Sequence, residues 1–122
     1  MKTLKFLHIA LFLFAISLNS IAQNNDQGDK TSSVKTESFK VWGKCNMCKA
    51  RIEKTVLAEG ATNASWDMKS QILTVSFDPS KTSKDALSKK LALVGHDTEK
   101  YKAPDDVYAK LPGCCHYDRQ KY

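Results

Sequence analysis

Beyond residue 22 the chain has no apolar run that approaches the roughly 20 residues needed to cross a bilayer as a helix, so no membrane span is expected there. No cysteine stands directly after the small residues Ser20 and Ala22, where Gln23 follows, which argues against a lipid-anchored form. Lysine and arginine total 19 against 13 acidic residues, yet they are scattered rather than clustered, and nucleic acid binding is not expected. The four cysteines form two close pairs, Cys45 with Cys48 and Cys114 with Cys115, a poor basis for a disulfide framework because such pairs close almost no loop. With 122 residues in all, the chain has room for one small domain and not for two.

What is present begins with a leader. Lys2 and Lys5 precede an apolar run from Phe6 to Leu18, followed by Asn19-Ser20-Ile21-Ala22 and Gln23. This is the layout of a secretory signal peptide over residues 1–22, too short to span a membrane, with cleavage expected after Ala22. An uncleaved anchor is the alternative. The reading places the mature protein in the periplasm or outside the cell, and the formal charge of +6 falls by two when Lys2 and Lys5 leave. Residues 23–35 are rich in Asn, Gln, Asp, Lys, Ser and Thr and have almost nothing to bury, so a flexible leader is expected.

Periodicity then takes over. Phe39 and Val41 alternate with polar neighbours over Lys35 to Trp42, the pattern of a half-buried strand, and Gly43 ends it. Cys48, Ile52 and Val56 recur every four residues, which predicts a helix from Asn46 to Glu59 that stops at Gly60. Ala64, Trp66 and Met68, a turn at Lys69-Ser70, then Leu73, Val75 and Phe77 predict a hairpin. Thr82 with Asp85 resembles a capping box for a second helix carrying Leu87, Leu91 and Val94, and a last strand is expected over His96 to Lys102, where only Tyr101 would pack. The resulting order is an α+β, ferredoxin-like βαββαβ sandwich over residues 36–103, an antiparallel sheet with two helices on one face. Residues 104–122 form a tail. It holds a short helix with Val107, Tyr108 and Leu111, after which Pro112-Gly113 presents Cys114, Cys115 and His116.

Two cysteines at i and i+3, where a strand gives way to a helix, place both sulfurs on one turn. The helix N-terminus and nearby Lys44, Lys49 and Arg51 favour the thiolate, the form that binds metal or attacks a disulfide. Two soft donors suit Cu(I), whereas a closed structural zinc site needs four ligands. So few ligands leave room for a partner's thiol and favour transfer by ligand exchange over permanent sequestration. A metal binder rather than an enzyme is therefore expected. The alternative is a thiol-disulfide oxidoreductase, which also places CxxC at a helix start, although here Lys44 rather than an aromatic residue precedes the first cysteine.

Val41-Trp42-Gly43-Lys44-Cys45-Asn46-Met47-Cys48, opening a helix in this element order, resembles the heavy-metal-associated domain, a family that includes copper chaperones and periplasmic mercury-binding proteins. The resemblance covers about residues 36–102 and implies a ferredoxin-like fold with metal carried on Cys45 and Cys48. In one departure, the family usually has Gly-Met-x-Cys before the pair, and here Gly43 is followed by Lys44 and Cys45. His96, after Gly95, falls where family members place a residue close to the metal; the resemblance implies a third ligand or a tuning group, and the plain alternative is an exposed loop histidine. The cargo implied is a soft metal ion, Cu(I) first, with Hg(II), Zn(II) or Cd(II) as alternatives. The partners implied are a metal-transporting membrane protein or another metal-binding protein, with the chain itself a monomer.

The tail lies outside this resemblance. Cys114, Cys115 and His116 are three adjacent soft donors, read as a second metal site, as partners of Cys45 or Cys48 in a disulfide or a shared four-ligand site, or as idle. An adaptor whose tail docks onto a transporter is a further reading, with no residue that specifies it. Trp66 and Phe77 are expected in the core, and Met47 is expected to be exposed, with its thioether facing away.

Overall fold

The alternating stretches around Phe39, Trp66 and Val75 form strands for the expected reason: one face of each is apolar and has to be covered. In the computed structural model, which describes residues 33–121, these are β1 (Lys35–Lys40), β2 (Ala61–Trp66) and β3 (Ile72–Phe77). The signal peptide expected over residues 1–22 and most of the leader lie outside the described residues. β3 is central in an antiparallel sheet of order β1-β3-β2, with Phe39 and Trp66 both registered on Leu73. On the opposite face Thr36 pairs with Ser76 at 2.8 Å and Ser38 with Thr74 at 3.0 Å, hydroxyl pairs that suit the solvent side.

Two helices cover the apolar face. α1 (Asn46–Ala58) buries Cys48, Ile52 and Val56, and α2 (Lys84–Leu93) buries Leu87, Ser88, Leu91 and Ala92. The α2 cap sits one residue later than expected: Ser83, not Thr82, accepts the Ala86 backbone N–H at 3.1 Å. The two helices share one buried cluster with Phe39, Val41, Trp66, Leu73, Val75 and Phe77.

The strand expected over His96 to Lys102 shrinks to a single antiparallel bridge, Val41 with Thr98, extended by the Trp42 N–H donating to the Asp97 carbonyl at 2.8 Å. The reason is local. The Thr98 N–H turns back to the Tyr101 carbonyl at 2.8 Å, and the Asp97 carboxylate takes the Ala103 N–H at 2.7 Å, so the chain leaves the sheet edge after one pair.

The expected boundary between domain and tail does not divide the packing. α3 (Asp105–Ala109) and a 3-10 turn over Gly113–Cys115 bring Leu111, Cys115 and Tyr117 into the same buried cluster, and the described residues form one compact unit. Gly95, at φ +106°, ends the α2 region, and a Cβ there would come within 2.9 Å of Leu111 Cδ2, so the tail rests directly on this glycine. Polar contacts complete the anchor. The Tyr117 hydroxyl donates to the Gly95 carbonyl at 2.6 Å and accepts the Asp97 N–H at 2.9 Å, while Arg119 meets the fully buried Asp97 carboxylate at 2.8 and 3.2 Å. Among the described residues no helix is long and apolar enough to cross a membrane.

Candidate metal centre

The turn between β1 and α1 is held from below. A Cβ on Gly43 would stand 2.9 Å from two ring carbons of Trp66 and 3.1 Å from Cys48 Cβ, so only glycine allows the loop this close to the indole. The buried Trp66 ring donates its Nε1 hydrogen to the Val41 carbonyl at 2.9 Å, and the Gln71 side-chain amide donates to the Gly43 carbonyl at 2.6 Å. Cys45 is therefore delivered as the N-cap of α1, in extended conformation, and Cys48 falls on the first turn with its side chain buried.

The tail meets this turn from above. Cys45 Sγ lies 3.5 Å from Cys48 Sγ and 3.1 Å from Cys115 Sγ, and the three sulfurs all lie within 4.8 Å of one another. These are contacts between free thiols, far longer than the roughly 2.05 Å of a disulfide bond. At metal–sulfur bonds of about 2.3 Å, three sulfurs around one ion stand about 4.0 Å apart, so a soft ion fits here with a small outward adjustment. Arg51 brings its guanidinium to 3.6 Å from Cys115 Sγ, a positive charge beside thiolates that carry more negative charge than a monovalent ion supplies.

The charges on the sulfurs are unequal. Burial pushes the Cys45 thiol up, but the neighbouring Cys115 thiol, the Cys48 backbone N–H at the helix start and the Cys114 and Cys48 thiols outweigh it and hold it at about 6. Burial pushes the Cys48 thiol up to about 12, with the neighbouring Cys115 sulfur adding to the shift. The adjacent Cys45 sulfur, followed by burial, pushes Cys114 up to about 11. At neutral pH Cys45 is thus a thiolate, while Cys48 and Cys114 remain thiols.

Of the other residues singled out from the sequence, Cys114 is exposed, 3.5 Å from Cys45 Sγ and 4.0 Å from Cys115 Sγ, outside the inner group of three. Met47 is half-exposed as expected, but its thioether faces the tail and not away from it, 3.5 Å from Cys114 Sγ. His96 is no exposed loop residue: it is fully buried and stacked at 5.8 Å on Tyr117. Its Nδ1 lies 2.9 Å from the Trp42 carbonyl, which only accepts, so Nδ1 carries the proton and Nε2 is a buried lone pair with no hydrogen-bond partner. Burial pushes this histidine down to about 4, against the Trp42 hydrogen bond, and the charge of Arg51 lowers it further. His96 thus shares Arg51 with Cys115, but it stands outside the three-sulfur group. His116 is exposed and stacked on Tyr108 at 5.1 Å, also outside it. Asp97, Tyr117 and Arg119, which hold the tail in place, carry no sequence pattern that marks them; only their packing reveals them.

Residues 44–97 match the heavy-metal-associated domain family. Over those residues the chain carries a heavy-metal-associated domain. Its heavy-metal-associated domain is similar in structure to a CopZ metallochaperone (24% identity, 52% of this chain and 98% of that one, TM-score 0.50), a likeness that shows the fold. It is also similar to oxidised MerP from Ralstonia metallidurans CH34 (26% identity, 55% of this chain and 96% of that one, TM-score 0.50). A third similar structure is the water-soluble region of the P-type ATPase CopA from Bacillus subtilis (30% identity, 53% of this chain, TM-score 0.50), of which the match spans 44%. No curated protein matches the chain. The family match ends at residue 97, so the heavy-metal-associated domain supplies Cys45 and Cys48, while Cys114 and Cys115 lie beyond it.

Proposed function

We propose that the protein is an exported carrier that binds a soft metal ion, Cu(I) in preference to Hg(II), Zn(II) or Cd(II), on Cys45, Cys48 and Cys115 and passes it on by thiol exchange. The observation that carries this reading is the group of three sulfurs within 4.8 Å of one another, two from the family's metal-binding turn and one from the tail. Three thiolates without a fourth ligand suit an ion content with low coordination, and a closed structural zinc site is incomplete here. Cys45 is the least buried of the three and already ionised at neutral pH, so the ion arrives first at Cys45; Cys48 and Cys115 then bind, and a thiol that ligates gives its proton to solvent. Release runs the other way, a partner's thiolate entering beside Cys45 as one of the chain's own sulfurs leaves. His96, neutral, buried and linked to Cys115 through the charge of Arg51, serves as a tuning group. For this chain the compartment follows from the expected signal peptide, and the partner from the likeness to a P-type ATPase domain.

Anaerobic titration of the reduced protein with Cu(I), Zn(II) and Hg(II) against competing chelators tests the proposal. Tight Cu(I) binding that is lost in a Cys45→Ser/Cys48→Ser double variant supports it, and binding unchanged in that variant overturns it. The thiolate at Cys45 is also what a thiol-disulfide oxidoreductase needs, and this favours one second reading. Insulin reduction assays separate the two, since a carrier is inactive in them.

A further inference from the structure

The inner three sulfurs leave two soft donors unaccounted for, Cys114 and Met47. They come from opposite sides of the same opening, one from the 3-10 turn of the tail and one from the first turn of α1, 67 positions apart in the chain. Cys114 Sγ touches both Met47 Sδ and Cys45 Sγ at 3.5 Å. Both side chains are open to solvent, where a thiol and a thioether have no need of each other's company.

We infer that Cys114 and Met47, with Cys45 as the shared thiolate, form a second and outward-facing site for Cu(I). It rests on the three-thiol reading for its neighbour, since Cys45 would bridge the inner and outer ions. Cys114 is not simply a fourth ligand of the inner ion: a tetrahedral site requires all four sulfurs to lie about 3.8 Å apart, and Cys114 stands outside the group that Cys45, Cys48 and Cys115 make. The donor set selects the metal. A thioether is a neutral soft ligand that Cu(I) accepts and that Zn(II) seldom takes, so a site with Met47 in it discriminates where the inner thiolates alone do not. The net charge stays the same. One Cu(I) on three thiolates leaves two negative charges; a second Cu(I), with Cys114 giving its proton to solvent, adds one positive ion and one thiolate and leaves that total unchanged while spreading it over two ions.

The test is Cu(I) titration of the full reduced chain against a coloured Cu(I) chelator, read together with native mass spectrometry, for the unaltered protein, Cys114→Ser and Met47→Leu. The expected result is a monomer that takes two Cu(I), a second equivalent absent in Cys114→Ser and weakened in Met47→Leu, and no second equivalent with Zn(II). Saturation at one Cu(I), a second ion found only in dimers, or a second equivalent that survives Cys114→Ser or is indifferent to Met47→Leu would overturn the outer site and leave the inner one standing. Absence of the first equivalent would instead overturn the three-thiol reading and this inference with it.

Discussion

Cys115 Sγ lies 3.1 Å from Cys45 Sγ, although 70 residues separate the two in the chain. A tail thiol, buried and anchored, thus joins the cysteine turn of a domain whose family match ends well before it. Replacing Cys115 with serine should weaken Cu(I) binding on the order of tenfold or more without abolishing it, because two sulfurs remain. Chelator competition measures this, and an affinity equal to that of the unaltered protein would remove the tail from the inner site.

The unequal thiol pKa values predict a particular pH dependence. Cys45, held at about 6, stays a thiolate through the neutral range, so its alkylation by iodoacetamide should titrate with a midpoint near that value. In Cys115→Ser the midpoint should rise, because the largest influence that lowers it is gone. Metal affinity should climb with pH across the neutral range, since Cys48, pushed up to about 12, has to surrender a proton on binding. Below about pH 6 the climb should be steeper still, as Cys45 then has a proton to lose as well. Mass spectrometry of the Cys45 peptide and affinity measured at several pH values check both statements.

Arg119 should be a stability residue. Its guanidinium neutralises the fully buried Asp97 carboxylate, whose remaining acceptor capacity goes to the backbone N–H groups of Ala103 and Gln120. Arg119→Ala leaves that buried charge without its cation and should cost about 3 kcal/mol in urea unfolding. Tyr117→Phe, which deletes the bonds to Gly95 and Asp97, should cost about 1–2 kcal/mol. Either variant should also loosen Cys115, visible as faster exchange of the amides in the 3-10 turn.

Gly43→Ala should damage the metal-binding turn without touching a ligand. The added methyl would stand 2.9 Å from the Trp66 ring, too close for either to stay in place, at a cost of about 1–3 kcal/mol. Tryptophan fluorescence should shift as the indole loses its buried position, and Cu(I) affinity should fall. An unshifted spectrum would show that the loop has more room than the packing allows.

Much of this protein was legible in its residues taken a few at a time. The four-residue spacing of Cys48, Ile52 and Val56 and the alternation through Leu73, Val75 and Phe77 report which face is apolar, and a face that has to be buried leaves a periodic trace. The Cys45 and Cys48 pair was equally readable, because a strand-to-helix turn is local and three residues suffice to place both sulfurs. The last strand was misread over His96 to Lys102 because a turn at Thr98 to Tyr101 and the demands of a buried carboxylate at Asp97 compete with sheet pairing, and neither has a periodic signature. Met47 faces the tail rather than away from it for a related reason: which way a side chain faces on a turn depends on what packs over it.

The sequence by itself determined the helices, the three paired strands and the cysteine turn, all of them consequences of spacing within one segment. Only the tertiary structure decided that Cys115 joins that turn, that Cys114 meets Met47 and that His96 is buried against Tyr117. Those contacts depend on Leu111 packing on Gly95 and on Tyr117 and Arg119 bonding around Asp97, and interactions between distant segments leave no periodicity for a local pattern to carry.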